Sequence, residues 1–303
     1  MKKSVYLILF ILSFSVRAQN IIAAAELKAE NVSEVRVEGK FVDVYVKKGD
    51  EVYFKGVIRG NGDEGDYRFD TDVVDSTLII RVIRTKNNYS WKNSRIKEAR
   101  MDITIPGDVK LDIDNSSGDV FVANLRVSES KIEATSGDIT LRNIIANLEV
   151  ETTSGDIDIA DLIGDSEIES TSGDQEFENV KGTIETRASS GDITFEDFEG
   201  DLDIKATSGD IDLRGGEGKL KVRTSSGNID GVRVALTGDA YFDATSGDVK
   251  IDFTNDLDDL NFDLNATSGD LEVGSRKGEK RLIIERGEYT VRGTTSSGDQ
   301  EYE

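Results

Sequence analysis

The sequence predicts an all-β chain, folded as a single-chain parallel β-solenoid (β-helix) of two-strand coils of about 18 residues each. Three observations support this fold class. A tetrapeptide recurs at nearly constant spacing, apolar and polar residues alternate on both sides of it, and turn-forming residues separate the alternating segments. The usual chirality of parallel β connections favours right-handed coils.

The repeated tetrapeptide is [Thr/Ser]-Ser-Gly-[Asp/Asn], and it occurs ten times in the 303 residues. Successive glycines are separated by 19, 18, 18, 18, 18, 18, 20, 22 and 29 residues. The glycines of the ten motifs are Gly118, Gly137, Gly155, Gly173, Gly191, Gly209, Gly227, Gly247, Gly269 and Gly298. Spacing this regular indicates one structural unit per motif.

Each motif is flanked by two short segments that alternate with a period of two. After the motif glycine, Ile211 and Leu213 enclose the polar Asp212, and before it Leu202 and Ile204 show the same pattern. Such alternation is typical of half-buried strands, because successive side chains of a strand point to opposite faces. We therefore expect Ile211 to face the core and Asp212 to face solvent.

Two kinds of turn are expected to join the strands. In Thr-Ser-Gly-Asp the glycine stands third, where a type II turn requires positive φ. The second turn, as in Asp197-Phe198-Glu199-Gly200, begins with Asp and ends with Gly, which is a type I preference. Coils of three hexapeptides are disfavoured, because the position six residues before the inner Ile is charged, as at Glu151 and Lys205.

Residues 1–18 read as a secretory signal peptide. Met1-Lys2-Lys3 is basic, Val5 to Leu12 is apolar, and Val16-Arg17-Ala18 offers small residues for cleavage after Ala18. We therefore expect an exported protein, located in the periplasm, on the cell surface or secreted. No later segment is long and apolar enough to predict a transmembrane span.

After the signal, the sequence predicts two regions. Residues 19–110 are strand-rich but lack the motif, and we expect irregular N-terminal β coils with a cap. Residues 111–303 hold the regular repeats. The long last interval, around Arg276 to Arg292, is expected to form a hairpin or cap. Gln300 to Glu303 is expected to protect the last sheet edge with charge.

The composition excludes several functions. The chain has a formal net charge of −23 and contains no Cys and no His. It therefore cannot form disulfides, Cys/His zinc sites or Ser-His-Asp triads. A surface this acidic repels nucleic acid, so we expect no nucleic-acid partner and instead an envelope or surface glycan or protein.

A basic aromatic segment is the candidate contact site. Between Arg84 and Arg100 the sequence is cationic, and the candidate ligand contacts within it are Tyr89, Trp91, Lys92 and Arg95. Aromatic rings can stack on sugars while cations hold acidic groups. The alternatives are a hairpin loop without a ligand, or Trp91 folding back to seal the cap.

The motif also places an acidic residue in nearly every coil. The candidate cation ladder consists of Asp138, Asp156, Asp174, Asp192 and Asp210. One interpretation is structural, with each carboxylate accepting N–H bonds in a turn. The other is weak binding of divalent cations between coils, although the spacing differs from calcium-binding nonapeptide repeats. We expect no other cofactor.

The motifs resemble those of a known family. Thr153-Ser154-Gly155-Asp156-Ile157, the entry Ile105-Pro106-Gly107 before Leu111-Asp112-Ile113, and Val42-Asp43-Val44 are similar to the bacterial putative-adhesin β-solenoid domains, a cell-envelope family of unknown function. The resemblance covers nearly the whole chain after the signal. It implies a β-solenoid and an envelope setting, and it supplies no catalytic residues.

The sequence therefore favours a non-catalytic, exported envelope or adhesin-like β-solenoid that binds a glycan or protein partner. One alternative is a polysaccharide-cleaving β-helix enzyme, which can act with carboxylates alone. Such sites interrupt the coils, whereas the central coils here are near copies, so we expect no enzyme. A purely structural or regulatory envelope module is the other alternative.

Overall fold

The computed structural model describes residues 7–9, 20–85 and 96–303. In these residues the regular elements are strands, apart from a single 3₁₀ turn at Leu257–Asp259, so the all-β prediction is confirmed. No helix in the described ranges has the length and apolar character needed to cross a membrane. The chain forms two compact units, residues 1–147 and 148–303. The predicted division at residue 110 stays a prediction.

The first unit contains strands β1 to β11 and the beginning of β12. Their bounds are β1 Leu7–Leu9, β2 Asn20–Ala29, β3 Glu34–Glu38, β4 Asp43–Lys48, β5 Val52–Gly60, β6 Tyr67–Val74, β7 Thr77–Arg84, β8 Ile96–Ile105, β9 Lys110–Ser117, β10 Val120–Ala123, β11 Arg126–Ser136 and β12 Ile139–Ser154. One row of paired strands runs β1-β2-β5-β8-β4-β10-β12, and the other runs β6-β7-β3-β9-β11.

The chain doubles back within the first unit. The β3–β4 rung lies between the later β7–β8 and β9–β10 rungs and pairs in parallel with both. Antiparallel β2, β5 and β6 extend the unit beyond β7 and β8. The ring of Phe69 in β6 packs edge-on against the buried Phe54, with centroids 5.6 Å apart. These strands cover β7 and β8 by antiparallel pairing and apolar contacts, and the N-terminal cap at residues 19–110 stays a prediction.

The second unit contains the end of β12 and strands β13 to β28. Their bounds are β13 Ile157–Ile163, β14 Ser166–Ser172, β15 Gln175–Lys181, β16 Ile184–Ser190, β17 Ile193–Glu199, β18 Leu202–Ser208, β19 Ile211–Arg214, β20 Glu217–Ser226, β21 Ile229–Ser246, β22 Val249–Phe253, β23 Leu260–Ser268, β24 Leu271–Val273, β25 Arg276–Gly278, β26 Arg281–Ile284, β27 Tyr289–Ser297 and β28 Gln300–Tyr302.

Parallel pairing stacks these strands into a solenoid-like array. Ile193 pairs with Ile211 and Ile211 with Ile229, so that each of these two steps along the array equals one motif interval of 18 residues. Ile211 is completely buried, whereas the Asp212 side chain keeps 33% of its exposure. The predicted faces of this strand are therefore confirmed. Alternating apolar positions form the core because each rung places them against the equivalent positions of the next.

The last motif of the sequence does not form the last rung in space. Val291 of β27 pairs with Ala240 of β21 on one side and Phe262 of β23 on the other, and β28 lies between β22 and β24. The expectation that Gln300 to Glu303 protects the last edge is therefore wrong. Because β25 and β26 cover β24 and β23 in antiparallel fashion, the returning chain fills the internal position. Of the hairpin or cap predicted around Arg276 to Arg292, the hairpin is present, because β25 pairs with β24 in antiparallel fashion.

Two side-chain amides, those of Gln175 and Gln300, are also buried in the core. Gln175 and Gln300 occupy inward positions that hold Ile, Val or Leu in other rungs, and both are fully buried. The Gln175 amide donates to Ser170 Oγ at 2.8 Å, and the Gln300 amide donates to Thr295 Oγ1 at 3.1 Å. A hydroxyl across the corner of the same rung thus satisfies each buried polar group, as burial requires.

Candidate functional site

The predicted contact loop lies outside the described residues. Tyr89, Trp91, Lys92 and Arg95 all fall between β7 and β8, in the range 86–95. The hypothesis that they contact a ligand, and the alternative that Trp91 seals the cap, both stay predictions.

The aspartates of the repeated motif hold the turns of adjacent rungs together. In the second unit, Oδ1 of Asp156 accepts the backbone N–H of Asp174 at 2.9 Å. Asp174 accepts that of Asp192 at 2.9 Å, and Asp192 that of Asp210 at 2.8 Å. In the first unit, the N–H of Asp138 donates to Asp119 Oδ1 at 3.1 Å. One oxygen of each accepting carboxylate is therefore engaged in a structural bond.

The one neutral member of the ladder supports this structural role. Asn228 donates its N–H to Asp210 at 2.7 Å, and its own Oδ1 accepts the N–H of Asp248 at 3.0 Å. A carbonyl oxygen therefore replaces a carboxylate without a break in the ladder. Among the described residues, no three or more acidic side chains are grouped so that they could hold a metal ion. Cation binding by the ladder stays a prediction.

On the outer face of the strands before the motif, Glu169, Arg187 and Lys205 take part in ion pairs. Glu169, Arg187 and Lys205 stand in register on successive rungs. The Arg187 guanidinium donates to Glu167 at 2.9 Å and also to Glu169 and Glu185. Hydrogen bonds from the guanidinium to these carboxylates raise the pKa of Arg187. A strip whose charges already neutralise one another has little left to attract a partner.

A groove interrupts this face farther along the second unit. Its volume is about 290 Å³, and Leu202, Leu220 and Ala240 contribute its apolar lining. The polar lining comes from several rungs and consists of Thr183, Asp201, Asp203, Lys219, Lys221, Asp239, Tyr241 and Arg292. An apolar lining with converging polar groups is typical of a ligand site.

The groove lies beside a coil that is longer than the coils before it. Gly218 pairs with Leu236 but Leu220 pairs with Ala240, so two extra residues bulge from β21. The bulge contains Gly238, where a Cβ atom would lie 2.6 Å from Cγ of Lys219. Glycine therefore lets the bulge pack closely against the lysine stem. In the sequence, this coil is marked by a motif interval longer than those of the preceding coils.

The three cations that line the groove form ion pairs of unequal length. Lys221 Nζ donates to Asp203 at 2.6 Å, whereas the Lys219–Asp201 and Arg292–Asp239 pairs are 3.4 and 3.5 Å long. The Lys219 and Arg292 side chains remain 59% and 54% exposed. Long, exposed ion pairs contribute little to stability and exchange partners readily.

Tyr241 supplies the aromatic surface of the groove. It is half-buried, and the guanidinium carbon of Arg223 lies 5.4 Å from its ring centroid. Its hydroxyl donates to Asp243 Oδ2 at 3.1 Å. Burial, together with the negative charge of Asp243, raises the pKa of Tyr241, so the phenol stays neutral near pH 7.

Asp203, one of the carboxylates that line the groove, stays ionised at neutral pH. Burial alone would raise the pKa of Asp203, but the hydrogen bond from Lys221 and the charges of Lys205 and Lys221 outweigh it. The net effect lowers the pKa of Asp203. This carboxylate can therefore accept hydrogen bonds but is a poor proton donor at neutral pH.

The position of this groove was indicated in the sequence by motif spacing and not by residue type. Tyr241, Lys219 and Arg292 are not distinguished by composition, and Arg292 is distant from Tyr241 along the chain. The lengthened motif interval from Gly227 to Gly247 marked the irregular coil. Arg292 reaches the groove only because β27 pairs directly with β21, with Tyr241 opposite Arg292.

Comparisons with known proteins identify similar chains. The family model described as Toastrack DUF4097 matches residues 32–213 and 198–302. No curated protein matches the chain significantly. A structure described as a putative lipid binding protein from Parabacteroides distasonis is 17% identical, with 77% of this chain and 96% of that chain covered and a TM-score of 0.49.

Two further solved structures are described as putative adhesins. The one from Parabacteroides distasonis is 14% identical, with 92% of this chain and 96% of that chain covered and a TM-score of 0.38. The one from Bacteroides fragilis is also 14% identical, with 94% and 98% covered and a TM-score of 0.38.

Proposed function

The chain belongs to the Toastrack DUF4097 family, and on that premise we propose that it is a non-catalytic, exported, adhesin-like envelope module that binds a glycan or protein partner. The predicted signal at residues 1–18 supports export to the periplasm, the cell surface or the medium. The coils are proposed to be right-handed, with two strands and about 18 residues each. Residues that pair between parallel strands lie one motif interval apart in the sequence, as Ile193 and Ile211 do, and this spacing supports that coil size.

The groove beside Tyr241 is the observation that carries the proposal. On this face, the rungs that carry Glu169, Arg187 and Lys205 present charges that are paired with one another. The coil with two extra residues instead opens a cavity, and two loosely paired cations lie at its rim. A rigid β scaffold that carries one irregular, amphipathic groove is suited to binding.

A polysaccharide-cleaving enzyme is less well supported by the same site. Glycosidic cleavage needs a carboxylic acid whose raised pKa keeps it protonated. In the groove, the Lys221 hydrogen bond helps to lower the pKa of Asp203. Asp230 has a raised pKa, caused by burial and by the nearby Asp212, but it does not line the groove.

A binding assay with a cleavage control tests the proposal. The purified protein is incubated with a panel of acidic and neutral polysaccharides and with isolated envelope proteins, and both retention and released fragments are measured. Retention that decreases in Tyr241→Ala, with no fragments, supports a binding module. Fragment release would support the enzyme, and no retention of any partner would favour a purely structural module.

A further inference from the structure

Resting on the proposed function, we propose that the groove beside Tyr241 binds an acidic saccharide, a sugar chain that carries both hydroxyl and carboxylate groups. The groups that would make these contacts are Lys219, Arg292, Tyr241, Asp201 and Asp239. They come from four adjacent rungs, and the bulge of β21 and the internal position of β27 bring them together.

The mixture of donors, acceptors and apolar surface points to a sugar. Asp201 and Asp239 can accept hydrogen bonds from hydroxyl groups, since their ion-pair partners lie 3.4 and 3.5 Å away. Oδ1 of Asp239 also accepts the N–H of Thr290 at 3.0 Å, so its Oδ2 is the oxygen that a ligand would meet. The half-buried Tyr241 ring offers a flat face against which the C–H face of a pyranose can pack. A purely apolar ligand would leave these carboxylates unsatisfied, at a cost in affinity.

The cations indicate that the saccharide is acidic. Lys219 and Arg292 are more than half exposed and only loosely paired, so a ligand carboxylate can take the place of Asp201 or Asp239 on either of them. The planar guanidinium of Arg292 can bind such a carboxylate with two parallel hydrogen bonds. The shorter Lys221–Asp203 pair, at 2.6 Å, would remain as part of the wall.

The strongly negative net charge does not prevent this binding. At about 0.1 M salt the Debye length is roughly 10 Å, so carboxylates several rungs away are largely screened. In the groove itself Lys219, Lys221 and Arg292 balance Asp201, Asp203 and Asp239, so a ligand carboxylate placed against Lys219 or Arg292 does not meet the full net charge of the chain.

Titration with three related polymers tests the inference. The purified protein is titrated calorimetrically with a galacturonic acid oligomer, with the same oligomer fully methyl-esterified, and with a neutral glucose oligomer. We expect the acidic oligomer to bind at least about tenfold more tightly than its ester, because the ester lacks the charge that Lys219 and Arg292 hold. Raising the salt from 0.1 to 1 M should remove most of this preference, because the Debye length falls to about 3 Å.

Matched variants locate the binding. The double variant K219Q/R292Q should lose about tenfold or more in affinity for the acidic oligomer and little for the ester. The control R214Q/K250Q removes the same charge from two paired, half-exposed side chains away from the groove, and it should bind as the parent does. Tyr241→Ala should weaken both oligomers about three- to tenfold. Tyr241→Leu keeps apolar bulk if the alanine variant folds poorly.

The outcomes separate this inference from the proposed function. Equal binding of the acid and its ester, or equal losses in the groove and control variants, would overturn the acidic-saccharide assignment. If the protein retained only the neutral oligomer or an envelope protein, the module would still be a binding module but this ligand class would be wrong. If nothing bound at all, both the inference and the proposed function would fail.

Discussion

Replacing Tyr302 with alanine is expected to destabilise the second unit strongly, because the inserted β28 places this residue in the core. Tyr302 is completely buried. Its ring is stacked on Phe253 at 6.0 Å between centroids and contacts Phe262 at 5.6 Å and Phe242 at 6.1 Å. Truncating a buried aromatic ring to alanine typically costs about 3–5 kcal/mol. With a urea m-value of about 2 kcal/mol/M, the midpoint should fall by roughly 1.5–2.5 M.

Two further variants separate the contribution of the Tyr302 ring from those of its hydroxyl and of the neighbouring Glu301. Tyr302→Phe keeps the ring but leaves Oε1 of Gln300 without the hydroxyl at 3.3 Å, so we expect a loss of about 1 kcal/mol. Glu301→Ala removes a solvent-facing ion pair with Lys250 and should have little effect. The measurements are urea unfolding followed by circular dichroism, and hydrogen exchange of the peptide that spans positions 299–303.

Hydrogen exchange gives the most direct test of the internal position of β28. A strand paired on both sides should exchange its amides much more slowly than the outer strand β26. If the peptide exchanged as fast as β26, or if Tyr302→Ala and Glu301→Ala lowered the midpoint equally, the internal position of β28 would be refuted.

Three further predictions concern the second unit and the cap of the first. Ile211→Asp should lower stability by several kcal/mol, because it buries an unpaired charge, whereas Asp212→Lys should stay within about 0.5 kcal/mol; equal thermal shifts would contradict the face assignment. Gly209→Ala should be far more destabilising than Gly65→Ala, because both have positive φ but only at Gly209 would a Cβ meet a backbone oxygen, at 2.0 Å; similar melting temperatures would contradict this. Because the pKa of Asp203 is lowered in the fold, its ion pair stabilises the protein above the ordinary value of 3.8, and that stability is lost as the pH falls through the lower folded value. The stability difference between the parent and Asp203→Asn should therefore be present at pH 7 and shrink below pH 3.8, and a difference independent of pH would contradict it.

Much of the fold follows from local pattern. The inward position of Ile211, the outward position of Asp212 and the positive φ of the motif glycine, as at Gly209, were predicted from alternation with a period of two and from turn chemistry. The type I turn predicted at Asp197–Gly200 is wrong, because β17 continues to Glu199. These features depend on neighbours within one coil and on the equivalent residues of the adjacent coils. A repeating sequence allows these features to be predicted, because equivalent residues have nearly the same surroundings in every rung.

The order of the last rungs could not be predicted from motif spacing. The last two motif intervals are longer than the others, which indicates that the coils become irregular, but they do not say which motif pairs with which. The antiparallel pairing of β25 with β24 and of β26 with β23 decides it, because β25 and β26 occupy the outer side of the β23–β24 rung. The next parallel strands, β27 and β28, then pair with the inner side of β23 and β24. In the first unit the early β3–β4 rung is enclosed in a similar way.

The groove also depends on the placement of β27 between β21 and β23, out of sequence order. A regular ladder repeats one set of contacts, and the neutral Asn228 shows that those contacts need an acceptor oxygen and not a charge. Ligand-specific chemistry therefore has to come from residues that the repeat does not supply. The bulge before Tyr241 supplies space, and the internal β27 supplies Arg292. Because β27 and β28 form one rung, a change that displaces Tyr302 should also withdraw Arg292 from the groove. The stability of this inserted rung and the affinity of the groove are thus expected to fall together, whereas a groove substitution such as K219Q should reduce affinity alone.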